Sequence, residues 1–377
     1  MIKFKRGLSW YKKRIISEYH TPTKKISKYI KKWLIKYNPS NNTTDKLERE
    51  YKENFLFFFY DLDIAPIAYD VAGFLAAADL ERQKLSLEFI YIIIVPGREK
   101  GFRLEVPEYD DVVNIEERHF RLWNLVIPMF SLLPSLNGFK ICNDRNEAKF
   151  IQKKLKNNFF PRNWKEEIPS YPLRKDIFKN KIEHNLNLQN LRATNQAIDY
   201  VSKYTKSFLN NKKLIVITIR DYEYTPKKNS NKEAWFKFAD SLDERIYEVL
   251  FIPDTSNALI SYKNYFGRKT LEVAAFNIQI RMAIYEAAYL NLAINQGPME
   301  LCWYNKKCNY IMFFKAGNSP ITSESQLKSE GIIINKTPTF ASKFQKWVWS
   351  EDNFDTIIKE FSLMSMLMEM ECKSGYK

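Results

Sequence analysis

Short apolar runs, most of them stopped by Pro, Asp or Asn, recur along this chain and restrict its fold more than any other feature. Phe55 to Tyr60, Phe89 to Val95, Leu214 to Ile219, Glu248 to Ile252, Leu290 to Ile294 and Tyr310 to Phe314 are too short for helices. Runs of this length without polar alternation predict strands buried on both faces. Gly138 to Cys142 predicts one more strand. Segments of helical character lie between them: Tyr69 to Arg82, Glu116 to Leu133, Arg145 to Lys156, Leu191 to Leu209, Lys232 to Leu242 and part of Thr270 to Tyr289. Pro298 to Tyr304 and the methionine-rich Asn353 to Met370 complete the set. Pro128 must kink or divide the helix it falls in. Strand and helix in alternation predict parallel βα units.

The polar, proline-bearing stretch 157–190 reads as a bridge, which divides the chain into two α/β lobes, 51–190 and 191–377. Residues 1–50 stand apart. They hold fourteen Lys and Arg against four Asp and Glu, so ten of the fifteen net positive charges belong to them. Ile26, Tyr29, Ile30, Trp33 and Leu34 recur at helical spacing among lysines. That pattern suits a basic amphipathic helix on an anionic membrane surface, or equally a helix packed on the protein body. A linker follows at Pro39 to Thr44.

Several classes fall away. Three histidines and four cysteines are scattered without metal-ligand spacing, so neither a zinc site nor a disulfide framework is expected. No run approaches the ~20 apolar residues of a membrane span, and lysines interrupt the N-terminus where a signal peptide needs an apolar centre. The expectation is a cytoplasmic protein, with residues 1–36 available to an anionic inner-membrane face. The chain has neither a P-loop nor a Gly-x-Gly-x-x-Gly fingerprint. Nucleic acid would match the basic arm, but the rest of the chain shows no recognition motif and little surplus charge.

In open parallel sheets, ligands sit beyond the carboxyl ends of the strands. Candidate residues are therefore those after each run. After Leu290 to Ile294 comes Asn295-Gln296-Gly297-Pro298-Met299-Glu300-Leu301, where Gly297 permits close backbone approach and Pro298 suits a first helical position. The amides of such a helix start can receive phosphate or sugar oxygens, although the same residues would serve as an ordinary turn. After Leu214 to Ile219, Arg220 offers paired donors to a diphosphate. Ser230-Asn231-Lys232-Glu233 then fits a capping box opening a second helix. Asp254 follows the next strand and could accept from ribose hydroxyls or cap a turn. In the first lobe, Asp61, Asp63 and Asp70 are candidates for a general base. The Asp61/Asp63 pair also has the spacing of a metal-holding acidic pair, but turn residues look the same.

The segment Asn295 to Leu301 resembles the Gly-Pro-Met segment of bacterial heptosyltransferases, which are GT-B glycosyltransferases. This chain has Asn295 and Gln296 where those enzymes have an acidic and a small hydroxyl residue, and Glu300 where they have histidine. The resemblance implies two Rossmann-like lobes with parallel sheets facing across a cleft, the acceptor on the first lobe and a nucleotide-sugar on the second. It implies metal-independent transfer, no further cofactor, a first-lobe carboxylate as base if the enzyme inverts, and donor contacts at Gly297, Pro298 and Met299. The expected function is transfer of a sugar to a glycan or lipid-linked acceptor of the cell surface. The alternatives are a basic nucleic-acid-binding protein and a non-glycosyl α/β group-transfer enzyme.

Overall fold

Two all-parallel sheets organise the computed structural model, which describes Lys25 and residues 53–155, 158–223, 225–315 and 323–374. The first contains β1 (Phe55–Asp61), β2 (Phe89–Val95), β3 (Leu136–Ile141) and β4 (Phe159–Phe160), in the order β3-β2-β1-β4. The second contains β5 (Lys213–Thr218), β6 (Tyr247–Ile252), β7 (Leu290–Ile294), β8 (Tyr310–Phe313) and β9 (Gln345–Val348), in the order β6-β5-β7-β8-β9. Each predicted apolar run forms a strand, and β7 and β8 are buried at every position. In the first sheet the chain adds β2 and β3 on one side of β1 before β4 takes the other side, and in the second it adds only β6 before reversing to β7, so β1 and β5 sit where the order switches. Crevices open at such points because consecutive crossovers leave in opposite directions. The two-lobed α/β architecture with Rossmann-like parallel sheets is present.

The two sheets are not independent bodies. One continuous core includes Leu56 and Ile90 of the first sheet, Val216 and Met312 of the second, and Val126, Met282 and Trp303 from the elements between. The outer face of the second sheet has its own core, in which Trp235 and Phe238 of the helix Lys232–Ser241 meet Phe361 and Met364 of the helix Phe354–Ser374. The outer face of the first sheet packs Phe59 and Val95 on Trp164. Both sheets lie within the single unit Phe55–Lys377.

The largest departures from expectation fall in short elements. The bridge at 157–190 contains β4 and the helix Arg174–Glu183. β9 is an edge strand of four residues, too short and too mixed in polarity to register as an apolar run. The helix expected from Leu191 begins only at Asn195, where Thr194 accepts the Ala197 N–H. Pro128 does divide its helix: Ile115–Arg121 passes into a π-helical turn, Leu122–Val126, and then Ile127–Phe130. The proline lacks the N–H that regular winding would use, and the wider turn absorbs the loss. The amphipathic pattern at Ile26 to Lys36 and the linker lie outside the described residues. Among the described residues, no helix is long and apolar enough to cross a membrane.

Candidate functional site

A cleft of 480 Å³ opens at the carboxyl ends of both sheets, beside the two switch points. Its first-sheet side is formed by Ala68 and Tyr69, which follow β1, and by the helical stretch from Glu117 to Leu125. Its second-sheet side is formed by the segments after β5, β6 and β7 and by Arg281 of the helix Ile278–Ala287.

Three arginines reach this space. Arg281 is 2% exposed. Its Nε donates to the Ala274 carbonyl at 2.7 Å and its Nη1 to the Tyr285 hydroxyl at 3.1 Å. Among the described residues no carboxylate forms an ion pair with it. Burial disfavours its charge, but Tyr69, Tyr285 and the negative field of Asp254 outweigh burial and raise its pKa, so a charged guanidinium is held in the cleft wall where an anion can meet it. Arg220 donates to the Thr225 carbonyl at 3.2 Å and to Asn229 Oδ1. Burial lowers its pKa, which marks a charge held away from water. Arg121, on the opposite side, pairs with Glu117 at 2.7 Å and donates to the Tyr222 hydroxyl at 3.0 Å. The Tyr222 ring lies between Arg121 at 5.8 Å and Arg220 at 5.7 Å. One aromatic side chain therefore joins the two sides.

Local folding explains these positions. Arg220 and Ser230 exchange hydrogen bonds, from the Arg220 N–H to Ser230 Oγ at 2.9 Å and from the Ser230 N–H to the Arg220 carbonyl at 2.9 Å. That pair closes the loop between β5 and the following helix, and Asn229 fastens it to Tyr222 on both backbone groups. Gln296 crosses from the end of β7 to the Thr218 carbonyl at 2.8 Å, tying two strand ends together. Gly297 lies so near Tyr69 that a Cβ would stand 2.9 Å from its ring. Glycine at this position is what lets Tyr69 roof the cleft.

Of the residues singled out from sequence, the cleft lining contains Arg220, Asp254, Gly297 and Pro298. The others lie elsewhere. Asp61 is buried and fully engaged, taking two hydrogen bonds from Arg145 at 2.8 and 2.9 Å and one from Trp164 Nε1 at 2.9 Å. Asp63 binds the Arg98 side chain and, at 2.8 Å, the Arg98 N–H. Asp70 stands at the start of the helix Val71–Lys84, outside the lining. Met299 belongs to the core, with none of its surface exposed. Asn295 continues the β7 ladder through its N–H to the Phe313 carbonyl at 2.8 Å. Glu300 is buried and paired with Arg174 at 2.6 Å.

Both expected helix starts differ from the pattern read in the sequence. Gly297–Met299 is a 3₁₀ turn followed by one helical turn, Glu300–Trp303, too short to build a dipole. The helix Lys232–Ser241 is capped by Asn231, whose side chain accepts the Ala234 N–H, so Ser230 and Glu233 do not form a capping box. Beside that cap, Asp352 accepts from the Asn231 N–H and from Trp235 Nε1, both at 2.8 Å. The positive charge of the cleft comes from arginine side chains instead.

Tyr69, Glu117, Arg121, Tyr222 and Arg281 were not found by reading strand ends. Only Arg281 left a trace, as the one cation of the helix Ile278–Ala287, with Tyr285 four residues on. Among the described residues, no three His, Cys, Asp or Glu side chains gather as metal ligands.

No protein-family model matches this sequence, and no curated protein does. Among solved structures, the chain is similar to a glycosyl transferase family 9 protein from Veillonella parvula, at 10% identity and TM-score 0.49, covering 82% of this chain and 97% of that one. It is similar at 9% identity and TM-score 0.49 to an E. coli ADP-heptose LPS heptosyltransferase II, covering 84% and 99% of the two chains. An E. coli heptosyltransferase WaaC with ADP shows 11% identity and TM-score 0.34, over 73% of this chain and 96% of that one.

Proposed function

We propose that this protein is a glycosyltransferase that binds a nucleotide-sugar on the second-sheet side of the cleft and an acceptor on the first-sheet side. Arg281 carries this reading: it is buried in the cleft wall, fixed by two hydrogen bonds, and has no carboxylate partner among the described residues. A diphosphate brings negative charge into contact with it, and Arg220 lies on the same side of the cleft to share it. As the bond between sugar and diphosphate breaks, charge grows on the leaving phosphate, and fixed guanidiniums stabilise it without reorganising. The reaction on this reading needs no metal, since arginines take the cation's role. Asp254 faces the same space and suits a ribose or sugar hydroxyl.

The acceptor in this proposal is a cell-surface glycan or a lipid-linked precursor at the cytoplasmic face of the inner membrane. The basic segment 1–36 would hold the protein there.

A thermal-shift panel with ADP, GDP, UDP and CDP tests the donor reading. A nucleotide at a hundred times its dissociation constant should stabilise the native state by about 2.7 kcal/mol. One base should be preferred, and Arg281→Gln should abolish its shift while leaving the unliganded transition near that of the wild type. Equal shifts for wild type and variant, or none from any nucleotide, would refute the proposal.

A further inference from the structure

Resting on the transferase reading above, we infer that Glu117 is the general base that takes the proton from the attacking acceptor hydroxyl. Among the described residues it is the one carboxylate lining the cleft from the first-sheet side. The other two, Glu223 and Asp254, belong to segments after β5 and β6, on the side of Arg220 and Arg281. Asp61 and Asp63 are spent on Arg145, Trp164 and Arg98. A base must lie within hydrogen-bond reach of the proton it takes, which removes both.

Glu117 is also built for the role. It sits in the first turn of the helix Ile115–Arg121, with its N–H held by the Asn114 side chain at 2.9 Å, so its backbone is fixed. Its Oε1 accepts from Arg121 Nε at 2.7 Å, and Arg121 reaches on to the Tyr222 hydroxyl at 3.0 Å. The guanidinium orients the carboxylate. Oε2 has no recorded partner among the described residues, so it is the oxygen available to the acceptor.

The step balances without further reactants. The acceptor oxygen forms a bond to the anomeric carbon as its proton moves to Oε2 of Glu117. The bond from that carbon to the diphosphate oxygen breaks, both electrons leave with the nucleoside diphosphate, and Glu117 later returns the proton to water. Because this attack comes from the face opposite the diphosphate, the product is inverted at the anomeric carbon.

Water in place of the acceptor gives a measurable reaction: slow release of nucleoside diphosphate from ADP-, GDP-, UDP- and CDP-linked hexoses. Glu117→Gln should lower kcat for this release by roughly 10²- to 10⁴-fold. KM and the nucleoside diphosphate dissociation constant should stay within about twofold, and the acid limb of the pH–rate profile should vanish. Glu117→Asp should recover part of the rate. In contrast, Asp254→Asn should weaken nucleotide binding more than turnover. Wild-type turnover in Glu117→Gln, or a loss of nucleotide affinity that matches the loss of rate, overturns the assignment. If even the wild type releases nothing while nucleotides still bind, the transferase reading fails and takes the base with it.

Discussion

Arg281 and Glu300 are both buried and ionisable, and they differ in how their charge is met. Arg281 lines the cleft wall with no carboxylate in ion-pair contact among the described residues, whereas Glu300 faces Arg174. Arg174 is shared, since it also pairs with Glu330 at 2.6 Å, and Asp70 adds a further negative field. Burial therefore outweighs the guanidinium and pushes the Glu300 carboxyl up from 4.5 to about 7. A group whose folded pKa exceeds its unfolded one stabilises the fold fully at low pH. Its contribution is lost as pH rises from about 4.5 through about 7. That loss is on the order of 3 kcal/mol. Glu300→Gln cannot ionise, so its stability relative to the wild type should grow between pH 5 and pH 8. Calorimetric melting curves that stay parallel for the two proteins across that range would refute this.

Among the elements, the helix Lys232–Ser241 shows a cap that a protein group has claimed. The resulting cluster is buried: Asp352 is 1% exposed, binds the Asn231 N–H and Trp235 Nε1, and pairs with Lys315 at 2.6 Å. Lys315 in turn donates to the Asn229 carbonyl at 3.1 Å, within the loop that holds Arg220. Asp352→Ala strands a buried ammonium and an indole N–H together. The expected cost is about 3–5 kcal/mol, read as a lower urea midpoint. Because the loop loses its anchor, nucleotide-induced stabilisation should fall as well. A stability change below ~1 kcal/mol would show that the cluster relaxes without strain. The strand assignments, by contrast, needed no such context. A parallel strand covered on both faces must be apolar at nearly every position, and Phe89–Val95 or Leu290–Ile294 announce themselves. β4 and β9 escape because two or four residues carry too little pattern.

Over the whole molecule, positive charge is concentrated at the N-terminal end of the sequence. Ten of the fifteen net positive charges belong to residues 1–50. Each Lys or Arg near an anionic surface contributes ~1 kcal/mol at most, and salt screens it. The full chain should therefore sediment with phosphatidylserine-containing vesicles at low salt and release at high salt, while a variant lacking residues 1–36 should stay in the supernatant at both. Equal partitioning of the two proteins would sink the membrane role.

What the sequence determines by itself is seven of the nine strands among the described residues, most of the helices between them and the crevice-forming positions after those strands, because apolar runs and stop residues act locally. It places Arg220, Asp254, Gly297 and Pro298 beside the cleft for the same reason. Tertiary structure alone decides which charges remain unmatched. Asp61 meets Arg145 across 84 residues and the Asn231 N–H meets Asp352 across 121, pairings that no local pattern reveals. Arg281, Arg121 and Glu117 reach the cleft because helices from distant parts of the chain pack around one shared core. Electrostatic pairing depends on distance in space, and spacing along the chain does not report it.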